Sequence, residues 1–439
     1  MNTTAALAHL AGAAAPAIPA CPRIGGRIAA FDGHTIECSG LDAAVGTVCA
    51  IGSPPSPAEV IGFRDGRTLL MGLAQQGTLL PGDPVMPLGD AARVSVGPAL
   101  LGRVLDGGGR PLDGEPAPLT SLRIPLDPPA TNPLNRTAVG PRLDCGVRAI
   151  DALLTLGRGQ RVGIMAGSGV GKSVLLGQMA RGTACDTVVV ALIGERGREI
   201  GDFLATQLSG PARARSVVVA VAADDAPLLR VRGVMRAHAI AEYFRSLGQS
   251  VLLIVDSLTR VAHAQREIGM ALGEACGPRG YPPSAIQLLP RLAERAGNDR
   301  TSGGSITAIY TVLVDGDDLN DPVVDAARGV LDGHIVLSRA VAQRGIYPAI
   351  DIAASISRSM HDLVEPAHAR AAAAFRRAHG LVEENRDLVA MGAYAPGHDL
   401  QLDAAFAARA AMDGFRSQGI VEHSSGNAST DALIGLELQ

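Results

Sequence analysis

The stretch Arg161-Val-Gly-Ile-Met-Ala-Gly-Ser-Gly-Val-Gly-Lys-Ser173 leads into the apolar run Val174–Ala180. A short apolar strand, Arg161–Met165, thus enters a glycine-rich turn that opens into a helix. Backbone N–H groups in such a turn, together with the open helix N-terminus, form a cradle for phosphate groups. The cradle comprises Ala166, Gly167, Ser168, Gly169, Val170, Gly171, Lys172, Ser173 and Val174. Within it, Lys172 is placed to reach the β- and γ-phosphates of a nucleotide, and the Ser173 hydroxyl to bind Mg2+. Ala166 stands where the simple pattern has Gly, a mild departure at a position that needs no close approach to phosphate. The dinucleotide fingerprint G-x-G-x-x-G fails, because its sixth position is Lys172.

Lys172 is also the one lysine among 39 cationic residues, the remainder being Arg. A composition bias explains the drift of solvated positive positions to Arg. A lysine that survives it marks a place that needs a compact ammonium, where a planar guanidinium does not fit.

Composition narrows the function further. The 439 residues suggest several domains, and a hydrophobic fraction of 47% supports sizeable cores. Aromatics are scarce, with no Trp, 5 Tyr and 7 Phe, which argues against stacking platforms for bases. A net charge of −4 offers no global field for nucleic acid or an anionic membrane. The six Cys are scattered, with no C-x-x-C pair, as expected for free thiols in a reducing compartment. No apolar run reaches membrane-spanning length, and no cation precedes Arg23 as a secretory signal requires. The expected location is cytoplasmic.

Four regions follow along the chain. Residues 1–22 read as a loose tail. Residues 23–93 carry short apolar segments (Gly25–Phe31, Thr35–Cys38, Val45–Ile51, Glu59–Phe63, Thr68–Met71) separated by turns such as Asp32-Gly33 and Asp65-Gly66, as in a small β-barrel. Residues 94–365 begin with a Gly/Pro-rich connection, read as lacking regular elements, over Gly102–Gly146. Strands and helices then alternate; the strands Arg161–Met165, Thr187–Ile193, Ser216–Ala220, Val251–Val255, Ser305–Val314 and His334–Leu337 suit a largely parallel sheet. The helix from about Pro227 to Leu247 is expected to start on Asp225 as its N-cap. Residues 366–439 are helical and Ala-rich, over Ala367–His379, Glu383–Met391 and Asp403–Phe415.

Two strands deliver acids. Asp256 ends Val251-Leu-Leu-Ile-Val255, where a carboxylate beside the phosphate loop holds Mg2+ through water. Glu195 ends Thr187–Ile193, where a carboxylate can orient and polarise the attacking water. Glu199, a few residues on, reads as a structural partner of the neighbouring arginines. The acidic stretch Asp315–Asp321 is not a calcium loop, because Leu319 occupies a ligand position.

Taken in order, Gly167–Ser173, Ala191-Leu-Ile-Gly-Glu-Arg-Gly-Arg-Glu199, Asp256-Ser-Leu-Thr-Arg260, Gly280-Tyr-Pro-Pro-Ser284, Asp332-Gly-His-Ile-Val-Leu-Ser-Arg339, Tyr347-Pro-Ala-Ile-Asp351 and Ser355-Ile-Ser-Arg358 resemble the flagellar type III export ATPases. That family is related to the catalytic subunit of rotary ATP synthases. The resemblance covers nearly all of the chain after the tail. It implies a small N-terminal β-barrel, a RecA-like P-loop α/β core and a C-terminal helical domain, acting on ATP/ADP with Mg2+. It also implies that Arg358 is an arginine finger for a neighbouring subunit's site, that Tyr347 packs on adenine, and that Arg196 helps orient phosphate. With all these residues on one chain, it implies a homohexamer. The implied partners are a stator-like regulator, a central stalk protein, the export gate and chaperone–substrate complexes, with peripheral membrane association and no nucleic acid.

Rival readings are an injectisome ATPase, a Rho-like RNA translocase and a nucleotide-binding subunit without turnover. The phosphate loop and Ser-Ile-Ser-Arg358 favour the flagellar system. Phe31 and Phe63 are the barrel's only aromatics, which disfavours RNA. Glu195 disfavours a dead site. One departure is Ala275-Cys276, where the family usually carries a Pro pair.

Overall fold

A computed structural model describes residues 25–74, 77–89, 92–314 and 321–438. The tail read over 1–22, and the acidic stretch up to residue 320, lie outside the described residues.

Six antiparallel strands close a barrel in the order β1-β2-β5-β4-β3-β6. They are β1 (Gly26–Phe31), β2 (Thr35–Ser39), β3 (Val48–Ile51), β4 (Ser56–Arg64), β5 (Arg67–Gly72) and β6 (Pro84–Gly89). Ile28, Ile36, Cys49, Ile51, Val60, Leu70 and Val85 fill its interior. The Asp65-Gly66 turn joins β4 to β5 with positive φ at both residues, 48° and 74°. The segment pattern missed β6. Its Pro84 and Pro87 argue against a strand, yet β6 pairs with both β1 and β3 and so closes the barrel.

The core sheet runs β14-β13-β8-β12-β11-β9-β10-β7. These are β7 (Val104–Leu105), β8 (Arg161–Ala166), β9 (Thr187–Glu195), β10 (Ser216–Ala222), β11 (Ser250–Asp256), β12 (Ser305–Leu313), β13 (Gly333–Leu337) and β14 (Ile350–Ser357). Neighbours are parallel, except that the edge strand β14 runs antiparallel to β13. The Gly/Pro-rich connection therefore contains a strand after all: β7 pairs with β10. Along β9, Val188, Val190 and Leu192 enter one apolar cluster while Val189, Ala191 and Ile193 enter the other. Helices cover both faces, which is why these strands read as unbroken apolar runs.

The helices that matter for the site are α1 (Lys172–Gly182), α2 (Pro227–Ser246), α3 (Leu258–Ala271), α4 (Pro322–Val330), α5 (Pro366–Ala390), α6 (Leu400–Arg416) and α7 (Gly426–Ile434). The expected Asp225 cap on α2 is not formed. Ala226 is the N-cap, and the Asp225 carboxylate accepts instead from the Ala222 N–H at 2.7 Å, closing the turn before the helix. The two C-terminal segments expected either side of Gly380 are one 25-residue helix, α5. Arg376, on α5, donates to the carbonyls of Ile352 and Ser355 on β14 and of Leu153, tying the helical region to the edge strand.

Barrel and core meet at a buried ion pair, Arg232 Nη1 to Glu59 Oε2 at 2.5 Å. Burial raises the Glu59 pKa and Arg232 opposes that rise. Removing one member leaves the other charge buried and uncompensated, at about 3–5 kcal/mol. Glu59→Ala should therefore lower the thermal midpoint clearly, and adding Arg232→Ala should recover part of the loss. An unchanged midpoint in the single variant contradicts this role for the pair.

Candidate active site

Parallel strands place their C-terminal ends along one edge of the sheet, and the loops there collect ligands. Ala166 ends β8 fully buried, and the turn Gly167–Gly171 follows. Gly169 and Gly171 adopt φ of 79° and 90°, a region open to glycine and strained for other residues. Gly171 is the N-cap of α1 and offers no side-chain cap, so the first N–H groups of the helix remain available to an anion. Val170 is buried under the turn, while Ser168 and Ser173 are exposed to the site.

Lys172 points across the ends of two neighbouring strands. Its Nζ lies 3.1 Å from Glu195 Oε1 and 2.5 Å from Asp256 Oδ1. The three side chains retain 13%, 14% and 5% exposure respectively. Burial works against the ammonium, but the charges of Asp256 and Glu195 outweigh it and hold Lys172 above its ordinary pKa. Burial pushes the Asp256 carboxyl up, Lys172 opposes this, and Glu195 adds to the rise. Register sets the cluster: Leu192 on β9 pairs with Asp256 on β11, so Glu195 projects just beyond.

Thr311, from β12, donates to Asp256 Oδ1 at 2.6 Å. Sequence reading passed over it. Its fully buried hydroxyl is one of several in the strand Ser305–Leu313, beside those of Ser305, Thr307 and Tyr310, so the sequence does not single it out. Both Thr311 and Lys172 use Oδ1, which leaves Oδ2 for another donor. With the Ser173 hydroxyl this is an all-oxygen donor set suited to a hard cation. Among the described residues no cluster of three or more acidic, His or Cys groups could hold a metal by itself.

Tyr347 precedes β14, and its ring lies 3.7 Å from where a Cβ on Gly171 would stand. It borders the phosphate loop, 47% exposed. Its carbonyl accepts from the Gln418 N–H at 2.8 Å. Gln418 also donates to the Gly146 carbonyl and accepts from the Arg148 N–H. A C-terminal loop thus braces this side of the site, a role with no sequence signal.

The structure does not bring every candidate together. Arg196 is the N-cap of a short helix, 84% exposed, and pairs loosely with Glu199 at 3.5 Å. Arg358 stands at the far end of β14. Ala166 pairs with Leu337 and Leu337 with Ile350, whereas Ser357 pairs with Gly333. These pairs lie four residues apart on β13, about 13 Å, so Arg358 leaves β14 at the end away from the phosphate loop of its own chain.

A nucleotide-binding P-loop core is the class this fold and site define. Residues 146–357 match the ATP synthase alpha/beta family, nucleotide-binding domain, and residues 364–435 match the T3SS EscN ATPase C-terminal domain. The flagellum-specific ATP synthase of Salmonella typhimurium is 51% identical over 429 residues, covering 95% of this chain and 94% of the relative. The assembled ATPase EscN from the enteropathogenic E. coli type III secretion system superposes with a TM-score of 0.89 at 40% identity, covering 94% and 99% of the two chains. EscN in complex with its central stalk EscO gives 0.87 at the same identity and coverage. The chain belongs to the type III secretion ATPases of the ATP synthase alpha/beta family.

The buried charge cluster yields a pH-dependent expectation. Lys172→Ala leaves Asp256 without its cation, and burial then raises that carboxyl further. A carboxyl with a higher pKa folded than unfolded loses stability as pH rises from the unfolded value, about 3.9. The thermal midpoint of the variant should fall below the parent's by little at about pH 5 and by more at about pH 8. A gap that does not change with pH contradicts the assignment.

Proposed function

We propose that the protein hydrolyses ATP with Mg2+ in a homohexameric ring, and that hydrolysis energises type III export of flagellar proteins. The observation that carries this reading is the division of one strand. β14 begins after Tyr347 beside the phosphate loop and ends before Arg358 at the opposite edge of the sheet, about 13 Å along the strand direction. One copy supplies the cradle, and a neighbouring copy supplies the guanidinium.

In the mechanism, the N–H groups of Gly167–Ser173 and the start of α1 hold the phosphates. Phosphate oxygens compete with Asp256 and Glu195 for the Lys172 ammonium. Ser173 and Asp256 would hold Mg2+, which when bound neutralises charge on the β- and γ-phosphate oxygens. Glu195 orients a water in line with the γ-phosphorus and polarises it. The new bond joins water oxygen to phosphorus, and the bond to the β,γ-bridging oxygen breaks. Arg358 of the neighbour stabilises the charge that builds on the transferred group. Tyr347 packs on adenine, and Arg196, exposed beside Glu195, reaches the phosphate once nucleotide is present.

The flagellar assignment is supported by 50% and 51% identity to the flagellum-specific ATP synthases of Pseudomonas aeruginosa and Salmonella typhimurium, against 43% to a type 3 secretion system ATPase of Pseudomonas syringae. A central stalk partner is supported by the EscN–EscO complex. The stator-like regulator, export gate and chaperone–substrate complexes follow from family membership. No helix among the described residues is long and apolar enough to cross a membrane. The proposed location is the cytoplasm, at the periphery of the export apparatus. The proposed domains are 23–93, 94–365 and 366–439, after a tail 1–22.

Two substitutions test the chemistry. Glu195→Gln should keep ATP binding, read by fluorescent nucleotide titration, and lose turnover by roughly a hundredfold or more. Lys172→Arg should be equally inactive, because the guanidinium fork cannot enter the cradle. Near-normal turnover in either variant removes that residue from the mechanism.

A further inference from the structure

Arg328 lies in the last turn of α4, and its carbonyl accepts a hydrogen bond from Arg358 Nη2 at 3.1 Å. Its own Nε is buried without a hydrogen-bond partner. Neither Arg328 nor Arg358 forms an ion pair among the described residues. The nearest acid in sequence beyond α4, Asp332, is taken by Arg161 through Nε and Nη2. Asp325, one turn before Arg328 on α4, is exposed.

His334 completes the patch, its Nε2 facing the Ala354 carbonyl at 3.1 Å. Burial lowers the imidazole pKa, and the charges of Arg328 and Arg358 lower it further. No carboxylate is among the charges acting on the ring, and the Arg358 guanidinium is fixed at the end of α4 by its bond to the Arg328 carbonyl. Like charges gathered without a counter-ion disfavour one another. The arrangement is relieved when an anion arrives from outside the chain.

We infer that Arg328 is a second cation supplied in trans, beside Arg358, to the terminal phosphate of a nucleoside triphosphate bound by the neighbouring copy. This rests on the shared-site reading above. The competing role is local: an Arg in the last turn of a helix interacts favourably with the helix dipole of its own chain. The Arg358 guanidinium, held by the Arg328 carbonyl, and the Arg328 guanidinium on the same helix end together offer several donors to one phosphoryl group, which suits charge spread over its oxygens.

Subunit mixing separates these roles. Arg328→Ala alone should lower ATPase kcat by about tenfold or more while fluorescent ATP analogue still binds. Glu195→Gln chains lack turnover but keep an intact Arg328 and Arg358. Arg328→Ala chains mixed with excess Glu195→Gln chains should regain near-wild-type rate per Arg328→Ala chain, because the neighbour now supplies the missing cation. Arg358→Ala chains mixed in the same way are the control for the shared site. Recovery with Arg358→Ala but not with Arg328→Ala overturns the inference alone and leaves Arg328 acting within its own chain. Recovery with neither overturns the shared site, and the inference with it. Should Arg328→Ala fail to fold, Arg328→Lys serves. It keeps charge at the helix end, loses the fork, and should be slow alone and restored in the mixture. Full activity of Arg328→Lys or Arg328→Ala alone also overturns the inference.

Discussion

An ammonium held between two carboxylates at the C-terminal edge of a buried parallel sheet is the contact on which the rest of this protein depends. Desolvating three charges is costly, and a buried pair stabilises only when geometry and extra hydrogen bonds compensate. Here Thr311 supplies one such bond to Asp256, and the strand register fixes the positions of Asp256 and Glu195. In the proposed mechanism a phosphate replaces the carboxylate oxygens around Lys172. A lysine suits this exchange because its compact head on a flexible stem can turn from one set of oxygens to the other.

The edge strand β14 extends the same logic beyond one chain. It runs against the direction of its neighbour, so its first residues lie beside the phosphate loop and its last at the opposite edge. Arg376 on α5 bonds its carbonyls, and Gln418 holds the Tyr347 backbone that leads into it. The C-terminal helices are therefore coupled to both ends of that strand. A shift of these helices has a direct route to the phosphate-loop end of β14 and to its Arg358 end.

Features encoded by local chemistry were legible in the sequence. The phosphate loop announces itself through glycines, one lysine and an apolar strand. Glu195 and Asp256 follow because acids end strands that are otherwise apolar. Five barrel strands follow from turn spacing. What escaped depends on contacts remote in sequence. The strand β6 is disguised by prolines that barrel closure tolerates, and β7 hides in a Gly/Pro-rich connection. Thr311 acts only through register, and the cap of α2 falls to Ala226 because Asp225 serves the preceding turn. Arg358 carried no local signal; its expected role comes from the family resemblance, and the topology places it at the end of β14 away from the phosphate loop. The exposed Arg196 and Arg358 at the far end of β14 are the candidates that this structure holds away from the cluster.

The central claim is that hydrolysis requires two copies of the chain. The most direct measurement is ATPase rate per chain across a dilution series, with mass measured in parallel by sedimentation. The account predicts a rate per chain that falls as the assembly dissociates and vanishes where only monomer remains. A rate that stays flat into the purely monomeric range contradicts it.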